Sequence, residues 1–119
     1  MVEYKTRKDI EEFLNEKGKY NITNLDELKD WNVSQISNMS YIFKDCKNLV
    51  DISGICDWDV SNIISMNFMF FSCNSLDDVS DINSWNIGNV TDMSYMFFGC
   101  DIQKVPIWYE KMMASHFDY

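Results

Sequence analysis

One proline, four glycines and one histidine are all that this chain has of those residues among its 119, and each scarcity removes a class of explanation. With so little proline and glycine, and no serine-rich run, there is no candidate linker, and an aromatic content of 15% argues against disorder. The lone histidine is His116, and the cysteines at positions 46, 56, 73 and 100 include no pair at CxxC spacing, so a zinc site has too few ligands. No nucleophile elbow, phosphate loop or paired-ligand motif is present, which predicts a protein that is not an enzyme and needs no metal or cofactor. No segment approaches the roughly 20 apolar residues of a membrane span. Residues 1–15 are charged throughout with no apolar centre, so no secretory signal is read there. The expectation is a cytoplasmic protein with reduced cysteines and no membrane contact.

Positive charge is also sparse. Nineteen acidic residues face ten lysines and arginines, for a net charge of −9. Most of the excess lies in residues 30–101, where ten aspartates meet only Lys44 and Lys47. That balance disfavours direct contact with nucleic acid or an anionic membrane and favours a protein partner with a basic surface.

What the sequence does contain is a repeat of 27 residues. Shifting the chain by 27 aligns Trp31, Trp58 and Trp85, then Val33, Val60 and Ile87, then Met39, Met66 and Met93, then Phe43, Phe70 and Phe97, then Cys46, Cys73 and Cys100, without a gap. Within each unit, Met39, Ile42, Phe43 and Cys46 and their equivalents have the i, i+3, i+4, i+7 spacing of one helical face. Asn38, Ser65 and Asp92 stand where they could accept from the first turn's N–H groups. Around each tryptophan the pattern alternates, with Asn32, Asp59 and Asn86 between inward-facing apolar residues, which predicts a short strand.

A strand plus a helix cannot bury its apolar side alone, so the predicted fold is α/β: a short right-handed solenoid of three strand-plus-helix repeats, capped at both ends. Helices need roughly 8–10 Å where strands need about 4.8 Å, so the array should curve with its strands inside. The chain is read as a single domain, residues 1–119. It divides into an N-terminal helical cap (1–27), three repeats (28–102) and a C-terminal cap (103–119). In the first cap, Thr6 and Asp9 resemble a capping box, Ile10, Phe13 and Leu14 form an apolar stripe, and Gly18 can close the helix. In the second, Pro106 opens a segment whose Trp108, Met112, Met113 and Phe117 are expected to face the core.

Two candidate binding surfaces follow. The outer strand face would carry Asp30 and Asp57 in one row and Asn32, Asp59 and Asn86 in another, an acidic ladder able to receive a basic partner. The outer helix face would carry Tyr41, Phe68, Phe71, Tyr95 and Phe98, an apolar patch of the kind that anchors partners or a second copy of the chain. The methionines are read as core filler. The cysteine column is read as apolar packing, its members too far apart across helix rows for a disulfide, while Cys56 lies off the column and is the candidate reactive thiol. Asp77, Asp78 and Asp81 lack the glycine and glutamate of a calcium loop.

The strings WNVSQISNMSYIFKDC, WDVSNIISMNFMFFSC and WNIGNVTDMSYMFFGC resemble the BspA-type leucine-rich repeat, also met in mycoplasma lipoproteins of unknown function, over about Leu28 to Cys100. The resemblance implies leucine-rich-type repeats, binding without chemistry, and kinship with bacterial surface adhesins. Three repeats are few beside that family's long arrays. The favoured reading is a small acidic cytosolic inhibitor or adaptor, of the kind a phage or mobile element would encode, that occupies a basic nucleic-acid-binding groove of a host protein; a relative of the surface adhesins, acting in cell-surface protein recognition, is the alternative.

Overall fold

A computed structural model describes residues 3–115, with side chains through residue 113. His116 and Phe117 lie outside the described residues. The chain begins with helix α1, Arg7–Lys17, and the anticipated capping box is formed: the Thr6 hydroxyl accepts from the Asp9 N–H while the Asp9 carboxylate accepts from the Thr6 N–H. Ile10 and Leu14 are buried, and Gly18, at φ 80°, donates its N–H to the Leu14 carbonyl and ends the helix.

The repeats are not built from strands and helices. Among the described residues there is no strand, and the only α-helices are α1 and α2, Ile107–Ser115. The strand-plus-helix α/β solenoid is therefore overturned, and the solenoid description goes with it. Each unit is instead a succession of tight turns. Three-residue 3₁₀ turns recur at Asp26–Leu28, Ser53–Ile55 and Ser80–Ile82, and neighbouring units touch through isolated parallel bridges such as Asn38 to Ser65 and Ser65 to Asp92.

The predicted repeat helix fails because its N–H groups point two ways. Ile42, Lys44 and Cys46 donate to the carbonyls three residues back, closing local turns. Between them Met39, Tyr41, Phe43 and Asp45 donate to Ser65, Asn67, Met69 and Phe71 of the next repeat, at 2.8–3.1 Å. A helix would need all of these bonds to run within the segment. The backbone reaches this alternation by placing Tyr41 and Asp45 at φ 61° and 64°, and Phe68 and Ser72 at 55° and 58°. For non-glycine residues that region costs about 1–2 kcal/mol each, a cost set against the cross-repeat bonds. The spacing that mimicked a helical face has a second solution: two consecutive turns, 39–42 and 43–46, each with both ends facing inward.

The strand expected at each tryptophan fails for a related reason. Asn32 and Asp59 accept from the N–H and hydroxyl of Ser34 and Ser61, and Asn86 accepts from the Gly88 N–H, so the chain bends just after the tryptophan of each repeat. Asn38 and Asp92 likewise accept from the N–H groups of Ser40 and Ser94; they cap a turn, and no helix follows.

The columns read from the sequence lie against one another. Phe43, Phe70 and Phe97 are buried and stack with centroids 5.4 and 5.6 Å apart. Met39, Met66 and Met93 are buried beside them. This side is spaced far more closely than helix rows would be, so the predicted basis for curvature is absent. The second and third repeats are also each tied back to the preceding one by an indole: Trp58 donates to the Leu28 carbonyl at 2.9 Å and Trp85 to that of Ile55 at 3.0 Å.

At the far end, α2 begins after Pro106. Trp108 donates its indole N–H to the Ile82 carbonyl at 3.0 Å, and Tyr109 sets its ring edge-on against Phe97 at 5.1 Å. Trp108 and Met112 are half-buried, but Met113 is exposed. The covering is done by the helix's first turn, and Tyr109, not singled out above, is its buried residue.

Candidate binding surfaces

Five aromatic rings share one face. Tyr41, Phe68 and Tyr95 occupy equivalent positions, each in the left-handed region (φ 61°, 55° and 55°). Their rings form a column with centroids 4.8 and 5.2 Å apart and planes 3° and 23° from parallel. Phe71 and Phe98 form a second column, 5.8 Å apart at 7°. The two columns meet edge to face, Phe68 with Phe71 and Tyr95 with Phe98, both at 5.8 Å. Tyr41, Tyr95 and Phe98 are exposed, and Phe68 and Phe71 are half-buried. Stacked pairs contribute about 0.5–1.5 kcal/mol beyond area burial, so the face is a rigid slab. Its outward placement was expected from a helix; the cause is the turn geometry.

The acidic rows are exposed but less free than their composition implied. Asp30, Asp57 and Asp59 are exposed. Asn32, Asp59 and Asn86 each commit one side-chain oxygen to their own turn, as described above, so this row brings a single charge. Lys29 lies with Asp26, Asp30 and Asp57 around one surface depression and dilutes the charge there. Sequence reasoning missed a third row: Asn24, Asp51 and Asp78 accept from the N–H groups of Asp26, Ser53 and Ser80 at 3.0, 2.8 and 3.0 Å. The signal was present as an Asn or Asp two residues before the next polar residue, repeated every 27 positions.

These turns carry a pH prediction. Hydrogen bonds from the serine hydroxyl and N–H hold Asp59 and Asp78 below the ordinary carboxylate range, and the Ser53 N–H does the same for Asp51. A carboxyl whose folded pKa is depressed stabilises the fold above its unfolded value and loses that contribution as pH falls through the folded value. Asp81 runs the other way, raised by burial and then by Asp78 and Asp51, so acidification relieves it. With Asp9, held down by its capping-box bonds from Thr6, four depressed groups against one raised group predict a net loss of stability below about pH 4. Urea midpoints across that range should fall, and the fall should be shallower in Ser61→Ala with Ser80→Ala; a flat profile would refute it.

The cysteine column is hydrogen-bonded across the repeat junctions. Cys73 and Cys100 donate to the Phe43 and Phe70 carbonyls at 3.0 and 3.1 Å. The Cys73 thiol is pushed far up by the neighbouring thiols of Cys100 and Cys46 and by burial. The helix rows that were to keep the thiols apart do not exist. All four cysteines are free thiols. Cys56 is half-buried, and burial followed by the charge of Asp57 raises its pKa, which opposes the reactivity expected of it. Among the described residues no group of three His, Cys, Asp or Glu side chains converges as metal ligands do. No helix among them is long and apolar enough to cross a membrane.

Turn-built 27-residue units, in register and flanked by two helices, define a repeat protein whose distinctive surface is a stacked aromatic slab. The chain belongs to the family described as Mycoplasma protein of unknown function, DUF285, whose model matches residues 8–116. No curated protein and no solved structure matches it.

Proposed function

We propose that the chain is a non-enzymatic protein-binding module, acting in the cytoplasm without metal or cofactor, whose contact surface is the aromatic slab. The observation that supports this most is the pre-stacked, partly exposed set Tyr41, Phe68, Phe71, Tyr95 and Phe98. Aromatic anchors dominate interface energetics, and rings already held in place lose little freedom on binding. A second reading is supported by the exposure of Asp30, Asp57 and Asp59: an inhibitor or adaptor whose acidic face enters a basic groove of its partner. Kinship with the BspA-type proteins, and with it a role in surface adhesion, is the finer proposal within the family.

Capture of a partner from the native host, followed by affinity measurement on variants, separates the two faces. Phe71→Ala with Phe98→Ala is expected to weaken binding by at least about 30-fold, the equivalent of roughly 2 kcal/mol, with little dependence on salt. Asp57→Lys with Asp59→Lys should leave it nearly unchanged. The reverse pattern, with affinity falling steeply as salt rises, would replace the aromatic reading with the acidic one.

A further inference from the structure

Each junction between repeats joins a donor edge to an acceptor edge. N–H groups of Met39, Tyr41, Phe43 and Asp45 meet carbonyls of the second repeat, and those of Met66, Phe68, Phe70 and Ser72 meet Asp92, Ser94, Met96 and Phe98 at 2.8–3.1 Å. The pattern repeats bond for bond, so it specifies what either end of the stack would accept.

The two ends are treated differently. At the acceptor edge of the first repeat, the Arg7 guanidinium donates to the carbonyls of Asn38 and Ser40. These are the equivalents, 27 residues earlier, of the Ser65 and Asn67 carbonyls that receive Met39 and Tyr41. Among the described residues the donor edge of the third repeat has no such cover. Two of the three local turn bonds found in the other units are present, Phe98 to Tyr95 and Cys100 to Phe97, and Gly99 at φ 85° repeats the left-handed position of Asp45 and Ser72. Yet among the described residues no acceptor is bonded to the N–H groups of Met93, Tyr95, Phe97 or Gly99.

Both outer ring columns end at the same edge. Phe98 is 55% exposed, whereas Phe71, one unit back with Phe98 stacked on it, is half-buried. Among the described residues the ring contacts of Tyr95 and Phe98 are with Phe68, Phe71 and each other, while α2 meets the core column through Tyr109 on Phe97.

We propose that this donor edge docks a segment of another protein that adopts the same turn. It would lay four alternate backbone carbonyls on the N–H groups of Met93, Tyr95, Phe97 and Gly99 and continue the two columns with an aromatic-x-x-aromatic pair. Unpaired backbone edges are templates for added chain, and main-chain bonds with alternate side-chain contacts are how such additions are recognised. The occupant is not a second copy docked head to tail, because Arg7 already takes two of the carbonyls that copy would offer. The docking stands apart from the lateral contact proposed above and does not depend on it.

The test uses the full chain and a synthetic peptide of residues 62–75 carrying Cys73→Ser, with amide hydrogen exchange followed residue by residue. In the free protein the amides of Tyr95, Phe97 and Gly99 are expected to exchange at least about 100-fold faster than those of Phe68, Phe70 and Ser72. Saturating peptide should slow the first set by at least about tenfold, and the same peptide with Phe68→Ser and Phe71→Ser should not. Equal protection of the two sets in the free protein, no slowing by the peptide, or equal slowing by the double-serine peptide would each overturn the proposal.

Discussion

Replacing Phe70 by alanine is expected to lower the unfolding free energy by about 3–5 kcal/mol. Phe70 is fully buried, with Phe43 on one face of its ring and Phe97 on the other, 5.4 and 5.6 Å away. Its truncation leaves a ring-sized gap in the middle of a stack. The gap cannot close by drawing the repeats together, because their separation is fixed by main-chain bonds on the same residues, Phe43 N–H to Met69 at 2.9 Å and Phe70 N–H to Met96 at 2.9 Å. Where surroundings cannot relax, the cavity adds its cost to the lost transfer energy. Against the roughly 5–15 kcal/mol that holds an ordinary domain together, the loss is a large fraction of the whole. The urea midpoint should drop with little change in slope. Phe97→Ala is the comparison: that ring ends the stack and has Tyr109 of α2 on its other side, edge-on at 5.1 Å, so the helix can shift to fill part of the space. A larger loss for Phe97→Ala than for Phe70→Ala would mean that the stack is not what couples the repeats.

The register of those columns was legible in the sequence because side-chain identity at a fixed period reports which residues meet, whatever backbone brings them there. The backbone itself was not legible. The spacing of Met39, Ile42, Phe43 and Cys46 fits a helical face and a pair of four-residue turns equally well. What separates the two is the destination of alternate N–H groups, which leaves no mark on the apolar pattern. Left-handed residues would have been the clue, but glycine, which announces them, stands at only one of the six such positions in the three turns, Gly99; the others are Tyr41, Asp45, Phe68, Ser72 and Tyr95. The polar positions were half legible. Asn38 and Asp92 accept from N–H groups two residues on, as a cap would, and Asn32, Asp59 and Asn86 lie off the core, yet all of them are spent on bending the chain. The candidate surface residues were therefore named on grounds that did not hold, and the aromatic five come together through turn geometry.

Trp58→Ala is expected to cost about 3–5 kcal/mol and Trp58→Phe only about 1 kcal/mol, and the difference between them rests on how the acceptor is shared. The Leu28 carbonyl receives two donors: the main-chain N–H of Trp31 at 3.1 Å and the indole N–H of Trp58 at 2.9 Å. One unit on, the Ile55 carbonyl receives the N–H of Trp58 and the indole of Trp85, and beyond it the Ile82 carbonyl receives the N–H of Trp85 and the indole of Trp108. The last indole comes from α2, out of register with the repeat, so the position is filled by whichever tryptophan the fold can deliver. Removing one indole N–H leaves each carbonyl with its remaining partner, and the steep penalty of an unpaired buried acceptor does not arise. Removing the whole side chain deletes a buried ring that packs against Phe43 at 6.3 Å and opens a cavity between units. Equal losses for the two substitutions, read from urea unfolding of both variants, would instead assign the coupling between repeats to the indole bonds and not to the packed rings.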